Sequence, residues 1–256
     1  MLGAIIGDIV GSRFEFANCK SKDFELFSVE CDYTDDTICT VAVADAILNH
    51  KDYESTLVDW CRRYPYPMGG YGCRFAEWVR SSVRKPYNSF GNGSAMRVSP
   101  VGWLFNNVQD VLEEAKKTAV VSHNHTEGIK GAESVAIAVY LLRGGHMKES
   151  VMDVIGRTYG YEFEKVDDIR AYNTFDETCQ VTVPQAFSCF FESTDFEDAI
   201  RNAISIGGDS DTIGAITGSL AEAYYGIPED IKSSAMAYLT DEMREIIGLF
   251  CKKLAS

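Results

Sequence analysis

An all-α fold is the expectation for this chain, on three observations. Apolar residues recur at threes and fours along most of its length, the spacing of a helix face. Small residues line several of these runs: "TIGAITGSLAEAYYG" offers Gly214, Ala215, Gly218 and Ala221, and "GIKGAESVAIAVY" offers Gly128, Gly131, Ala132 and Ala136. Such seams suit close helix packing in a compact multi-helix core. Only "CQVTV", residues 179 to 183, alternates like a strand, and it is too short to build a sheet.

Taken in order, the first clear helix runs from Asp35 to Leu48, where Ile38, Val41, Ala42, Ala44 and Leu48 repeat at helical spacing and Thr34 is placed as the N-cap. Further helices are expected over about 55–64, 72–83, 95–105, 108–121, 127–143 and 148–159. Four more are expected over about 183–191, 196–206, 212–225 and 241–252. The chain has 256 residues, enough for a full core. No linker rich in Pro, Gly or Ser divides it and no solenoid-period repeat appears. A single domain over residues 1–256 is the simpler expectation.

Charge narrows the function classes. The 24 basic residues stand against 38 acidic ones, a net charge of −14, which disfavours a surface that tracks nucleic-acid phosphates and suits cation binding instead. No apolar run reaches the roughly 18 residues needed to span a bilayer. The apolar opening "MLGAIIGDIVG" has no basic leader and contains Asp8, so a cytoplasmic protein without a membrane partner is expected. Eight cysteines are scattered with no C-x-x-C pair, which points to reduced, mostly buried thiols.

Two acidic clusters share one grammar. "CDYTDDTICT" (31 to 40) places Asp35 and Asp36 in the first turn of a helix behind Thr34, and "GGDSDT" (207 to 212) places Asp209, Asp211 and Thr212 at the mouth of another behind two glycines. Either cluster alone reads as helix capping, since Asp, Ser and Thr are preferred caps and acids complement the helix dipole. A calcium loop fails, because Ile213 and Leu220 stand where an oxygen ligand and the closing Glu belong. Together the four carboxylates and the hydroxyls of Thr34 and Thr212 form an all-oxygen set, the donor type of hard divalent cations. Their convergence would require one or two such ions to offset the repulsion.

Glycine-rich stretches are a third feature. In "PMGGYGCRF" and "NSFGNGSAMR", backbone N–H groups at Gly70, Gly72, Gly91 and Gly93 with the hydroxyls of Ser89 and Ser94 could cradle phosphate oxygens, although ordinary turns have the same composition. Neither is a Walker A loop. His123 and His125 lack further ligands at zinc spacing and read as pocket lining or a helix start, while His50 and His146 read as surface positions at helix ends.

The order of these pieces carries a resemblance. "GAIIGDIVGSRFE", "YTDDT", "GGYG", "SFGNGSAMRV", "SHNHTEGIKGA" and "SIGGDSDTIGAITGSLAEAYYG", in register from Gly3 to Gly226, resemble the ADP-ribosylglycohydrolase family of dinitrogenase-reductase-activating glycohydrolases and ADP-ribosyl-serine hydrolases. The resemblance implies a compact all-α fold with a binuclear Mg²⁺ or Mn²⁺ centre, Mg²⁺ foremost, at the base of a cleft for ADP-ribose. Thr34, Asp35 and Asp36 would match the first ligand set, and Asp209, Asp211 and Thr212 the second. Glu15 stands at the family's loop glutamate, an acid/base candidate beside Asp35 and Asp36. Gly70, Tyr71, Gly72, Ser89, Phe90, Asn92, Gly93 and Ser94 would line the diphosphate and ribose side, and His123 would contact substrate. Phe90 departs from the Tyr of the serine-hydrolase branch, and the chain is shorter than the eukaryotic members.

The expected activity is therefore hydrolysis of the ribosyl C1″ bond in an ADP-ribosylated protein or small ADP-ribose conjugate. A two-metal phosphoesterase acting on a nucleotide and a non-catalytic ADP-ribose-binding or structural relative are the alternatives.

Overall fold

A computed structural model of the chain describes residues 1–255. Among them it holds fifteen α-helices, one short 3₁₀ turn and no strand. Two helices form the axis of the molecule. Helix α1 (Leu2–Gly11) is buried along its whole length, and α13 (Ser210–Tyr225) is buried from Ser210 to Ala221. A helix buried on every side must be apolar or small all round, as both of these are.

Their contact is glycine against glycine. A Cβ on Gly3 would strike the Gly218 carbonyl, one on Gly7 the Gly214 carbonyl, and one on Gly11 the Asp211 Cα at 2.5 Å. Because the partner number falls as the α1 number rises, the two helices run antiparallel, backbone on backbone.

The other elements wrap this axis. Helices α2 (Asp35–Leu48), α8 (Thr126–Arg143), α11 (Cys179–Glu192) and α12 (Phe196–Ser205) contribute the buried apolar and alanine faces of one continuous core. Outside them lie α3 (Tyr53–Arg63), α4 (Cys73–Arg80), α5 (Gly93–Met96), α6 (Ser99–Leu104) and α7 (Val108–Val120). The set is completed by α9 (Lys148–Tyr159), α10 (Val166–Tyr172), α14 (Glu229–Met236) and α15 (Asp241–Leu254). No helix of the described residues is long and apolar enough to cross a membrane.

Several sequence expectations are corrected. "CQVTV" is the first turn of α11: tertiary burial of Cys179, Thr182 and Val183 overrides the alternation of a short β-branched stretch. The helix expected over 95–105 is two short helices, α5 and α6, broken at Arg97 and Val98. Pro100 cannot continue the hydrogen-bond ladder of a preceding turn, but it fits the start of a new one. Helices α1, α10 and α14 are additional to those expected. All eight cysteines are free thiols; Cys39 and Cys61 face each other at 4.0 Å between sulfurs, unbonded.

Candidate active site

The antiparallel pairing of α1 and α13 decides where the acidic groups meet. The last turn of α1 leads through the 3₁₀ turn Ser12–Phe14 to Glu15, and this end lies beside the first turn of α13. Asp209 is the N-cap of α13 and Asp211 is inside its first turn, since the helix begins at Ser210 and not at the expected 212. Oxygens of Glu15, Asp209 and Asp211 come within 4.8 Å of one another. Gly207 and Gly208 enter this turn at φ +64° and +85°, a left-handed conformation that glycine adopts without strain.

The first turn of α2 arrives from the side. Thr212 Oγ1 donates to Asp36 Oδ2 at 3.2 Å, which ties the two acidic clusters together. Asp35 is partly exposed and lines the same cleft. Thr34 caps α2 by accepting from the Asp36 N–H at 3.2 Å, worth about 1 kcal/mol for such a cap.

Asp8, to which the sequence alone assigns no role, organises this turn from behind. Its carboxylate accepts from the backbone N–H groups of Thr34 and Thr37, each at 3.0 Å, and from both their hydroxyls. Thr34 thus spends its proton on Asp8 and one lone pair on Asp36, which leaves the second lone pair of a hydroxyl. The signal for Asp8 was a carboxylate in the middle of an otherwise apolar run, a residue type almost never buried without partners.

So many buried carboxylates repel one another. Burial, then Asp211 and Asp8, push the Glu15 carboxyl up to about 8. Burial pushes Asp8 up to about 6 against its four hydrogen bonds, and Asp209 up to about 6. Asp35, Asp36 and Asp211 are raised well above the usual carboxylate range, burial being the largest cause in each. The positive ends of α2 and α13 point here, yet two helix dipoles offset only part of this charge. Two buried oxygens, Asp36 Oδ1 and Glu15 Oε2, have no hydrogen-bond partner. Unpartnered anionic oxygens in an all-oxygen group are what a hard divalent cation would satisfy, so the residues fit such an ion.

Above the acids opens a cleft of about 490 Å³. Two cations also line it: Arg74, in the first turn of α4, and the buried Arg97, beside Tyr87. Arg74 donates to the Tyr87 carbonyl and lies 4.9 Å over its ring. Burial, then Arg97 and Arg74, hold His123 well below its ordinary value and therefore neutral. Its Nδ1 is paired with Ser122 Oγ at 2.7 Å, which turns Nε2 toward Gly91 and Gly93.

The remaining candidates divide into two groups. Gly70, Tyr71, Gly72, Ser89, Phe90, Asn92 and Gly93 line the cleft with His123. Asn92 is buried and donates to Asp209 Oδ2 at 2.6 Å and to Thr182 at 3.1 Å, so it steadies the acidic floor as well. Ser94 does not line the cleft: it is buried behind the wall, and its hydroxyl donates to Gly128 O at 2.7 Å. Thr34 is also buried beneath the lining. The glycine cradle is reduced, because Gly70 donates its N–H to Pro67 O and Gly91 to Ser89 Oγ. The N-terminus of α4, at Gly72 and Cys73, faces the cleft in its place. Two further lining features carry no local signal in the sequence: Glu177, and Phe16 stacked on Phe175 at 6.0 Å.

Buried, unpartnered carboxylate oxygens beneath an open cleft define a candidate centre for cation-assisted hydrolysis. The family model described as ADP-ribosylglycohydrolase matches residues 1–255, and the chain belongs to that family. The ADP-ribosylhydrolase ARH3 of Homo sapiens is 29% identical over 93% of this chain and 88% of its own length. The ARH3 of Xenopus tropicalis is 26% identical over 100% of this chain and 96% of its own, in an alignment of 337 positions against 256 residues here. That relative therefore carries insertions. The ADP-ribosylarginine hydrolase Tri1 of Pseudomonas putida is 25% identical over 89% of this chain and 70% of its own. A solved structure described as an ADP-ribosylglycohydrolase-related protein complex shares the fold at TM-score 0.75, with 23% identity over 99% of this chain and 96% of that one.

Proposed function

We propose that this enzyme is a divalent-cation-dependent hydrolase that cleaves the ribosyl C1″ bond of an ADP-ribosylated protein or small ADP-ribose conjugate and releases ADP-ribose. The observation that carries the reading is that one cleft is lined both by Arg74 and the α4 N-terminus and by the acidic group of Glu15, Asp209 and Asp211. A diphosphate matches the first group, and a ribose whose hydroxyls would bind through cations matches the second.

Thr34, Asp35, Asp36, Asp209, Asp211 and Thr212 would hold two cations, Mg²⁺ foremost or Mn²⁺. When bound, these ions supply a water of lowered pKa and fix the ribose oxygens. The chain's own groups do the rest. Cleavage passes through a transition state of oxocarbenium character, so a proton must move as the leaving group departs. Glu15, whose Oε2 is unpartnered, is the first candidate for that transfer, and Asp35 and Asp36, which also line the cleft, are the others. Neutral His123 presents Nε2 to the substrate side, Phe90, 42% exposed, offers a ring for a base to stack on, and Tyr71 and Ser89 border the ribose and diphosphate path.

The test is a panel of defined ADP-ribosyl conjugates, including arginine-, serine- and acetyl-linked forms, incubated with Mg²⁺, Mn²⁺ or EDTA. Cation-dependent release of ADP-ribose is expected from at least one linkage. AMP or inorganic phosphate as product would replace the reading with phosphoester attack, and release that ignores the chelator would remove the cations from it.

A further inference from the structure

A second hollow, of about 290 Å³, lies on the other side of one cleft wall. The wall is the extended stretch 173–178 between α10 and α11, pinned to the 89–92 loop by the Asn92 N–H on Glu177 O and the Cys179 N–H on Phe90 O. Its middle residues face opposite ways in turn: Phe175 and Glu177 line the cleft, whereas Thr174 and Asp176 line the hollow, with Asn173 joining the hollow and Thr178 the cleft at the two ends. Successive side chains of an extended strand do this by geometry.

The hollow is rich in acceptors. Glu162, Glu164 and Asp176 border it, and no Lys, Arg or His stands among its described lining residues. Pro184, inside α11, has no N–H for the Gln180 carbonyl one turn earlier, and both residues line the hollow. Ser188, 2% exposed, lines it too, and its buried hydroxyl has no partner. A buried hydroxyl without a partner costs free energy unless something enters to meet it. The Tyr172 ring stands at the edge, its hydroxyl donating to Glu164 at 2.6 Å.

We infer that this hollow is a subsite for an arginine side chain of the protein substrate, close in sequence to the modified residue. A guanidinium carries several N–H donors and no acceptor, which matches carboxylates, a free carbonyl and a hydroxyl together. Its apolar stem suits Val181, Pro184 and Ile169, and its face suits Tyr172. The position fits as well. Phe175 stacks on Phe16, next to Glu15, so only the one extended stretch 174–177 separates the acidic group from the hollow. The inference rests on the reading that the substrate is an ADP-ribosylated protein.

Two measurements test it, and they fail separately. The whole chain is titrated with argininamide and with citrulline amide, its uncharged isostere, while backbone amide resonances are followed. Saturable shifts at Tyr172, Gln180 and Ser188 are expected, about tenfold weaker for citrulline amide and about tenfold weaker for argininamide in the E162Q/E164Q variant. Both glutamates are exposed, so the variant keeps its fold. Absence of saturable shifts, an equal response to citrulline amide, or an unchanged response in the variant overturns the site. In the second measurement, an ADP-ribosylated peptide with a flanking arginine should show a kcat/KM about tenfold above its citrulline counterpart, carried by KM and lost in the variant. Turnover of a small conjugate should not change. Equal kcat/KM for the two peptides overturns the substrate role. No release from any conjugate overturns the proposed hydrolysis instead, and the titration still decides the hollow.

Discussion

The seam between α1 and α13 and the rim of the cleft are built on opposite principles. Along the seam, Gly3, Gly7 and Gly11 meet the backbone of α13 with no room for one carbon. Around the rim, a Cβ added to Gly70 or Gly72 would meet nothing within 4 Å, and Phe16 is 73% exposed. The seam fixes the acids: its antiparallel register puts Glu15 beside Asp209 and Asp211, and Thr212 on α13 reaches Asp36. The rim decides what may approach. Chemistry is thus written into the most rigid contact of the molecule and selectivity into its least constrained loops, as is usual for sites carried on a scaffold.

This contrast can be broken most severely at Gly214. A Gly214→Val substitution drives a side chain into the Gly7 backbone and should cost about 3 kcal/mol or more, read as loss of soluble protein or a large fall in Tm. Gly70→Ala should cost only about 1 kcal/mol, the strain of a left-handed residue at φ +83° in open space. Similar losses at the two positions would contradict the distinction.

Next in size are the acids. Asp211→Asn should lower kcat/KM beyond the roughly 10–100-fold typical of a group that acts only behind a ligand. In metal-free protein the same change should raise stability, because burial and the neighbouring Asp209 disfavour an ionised group there. A variant both inactive and destabilised under those conditions would show Asp211 to be a structural cap.

The pH response follows from the same repulsion. Folding raises Glu15 from 4.5 to about 8, so the folded state holds that proton more tightly than the unfolded one. Stability of the metal-free protein should therefore fall as pH rises from about 4.5 to about 8, and excess Mg²⁺ should flatten the curve. Thermal melts in EDTA and in Mg²⁺ across that range check the sign.

The smallest effect belongs to the rim. Phe175→Ala removes a half-exposed ring stacked only on Phe16, so Tm should move little while KM for a protein conjugate rises a few-fold and KM for a small conjugate stays put. Equal effects on both substrates would place Phe175 in the ADP-ribose site itself.

Much of this was legible in the chain. The paired grammar of "YTDDT" and "GGDSDT" singled out the acidic floor, and the small residues of α13 announced a close seam. The partner in that seam was not read as a helix, since "LGAIIGDIVG" has no polar face, and its signal lay in glycines four apart at 3, 7 and 11. "CQVTV" misled because a period-two pattern over five residues is weaker than the burial it meets in the fold. Ser94 sits in a motif shared with cleft residues, but the turn into α5 points its hydroxyl inward. Glu177 and the stretch 173–178 depended on contacts between segments far apart in sequence, which no local pattern encodes, and the lone acid in an apolar run marked Asp8 without showing its partners Thr34 and Thr37.

The most direct test of the account is ADP-ribose release by Glu15→Gln, Asp36→Asn and wild-type enzyme, with and without Mg²⁺, on whichever conjugate the wild type cleaves. Cation-dependent release is expected from the wild type, with near-complete loss in both variants while their folds stay intact. Wild-type turnover in Glu15→Gln and Asp36→Asn, or release unaffected by EDTA, would contradict the claim that this carboxylate floor performs the reaction.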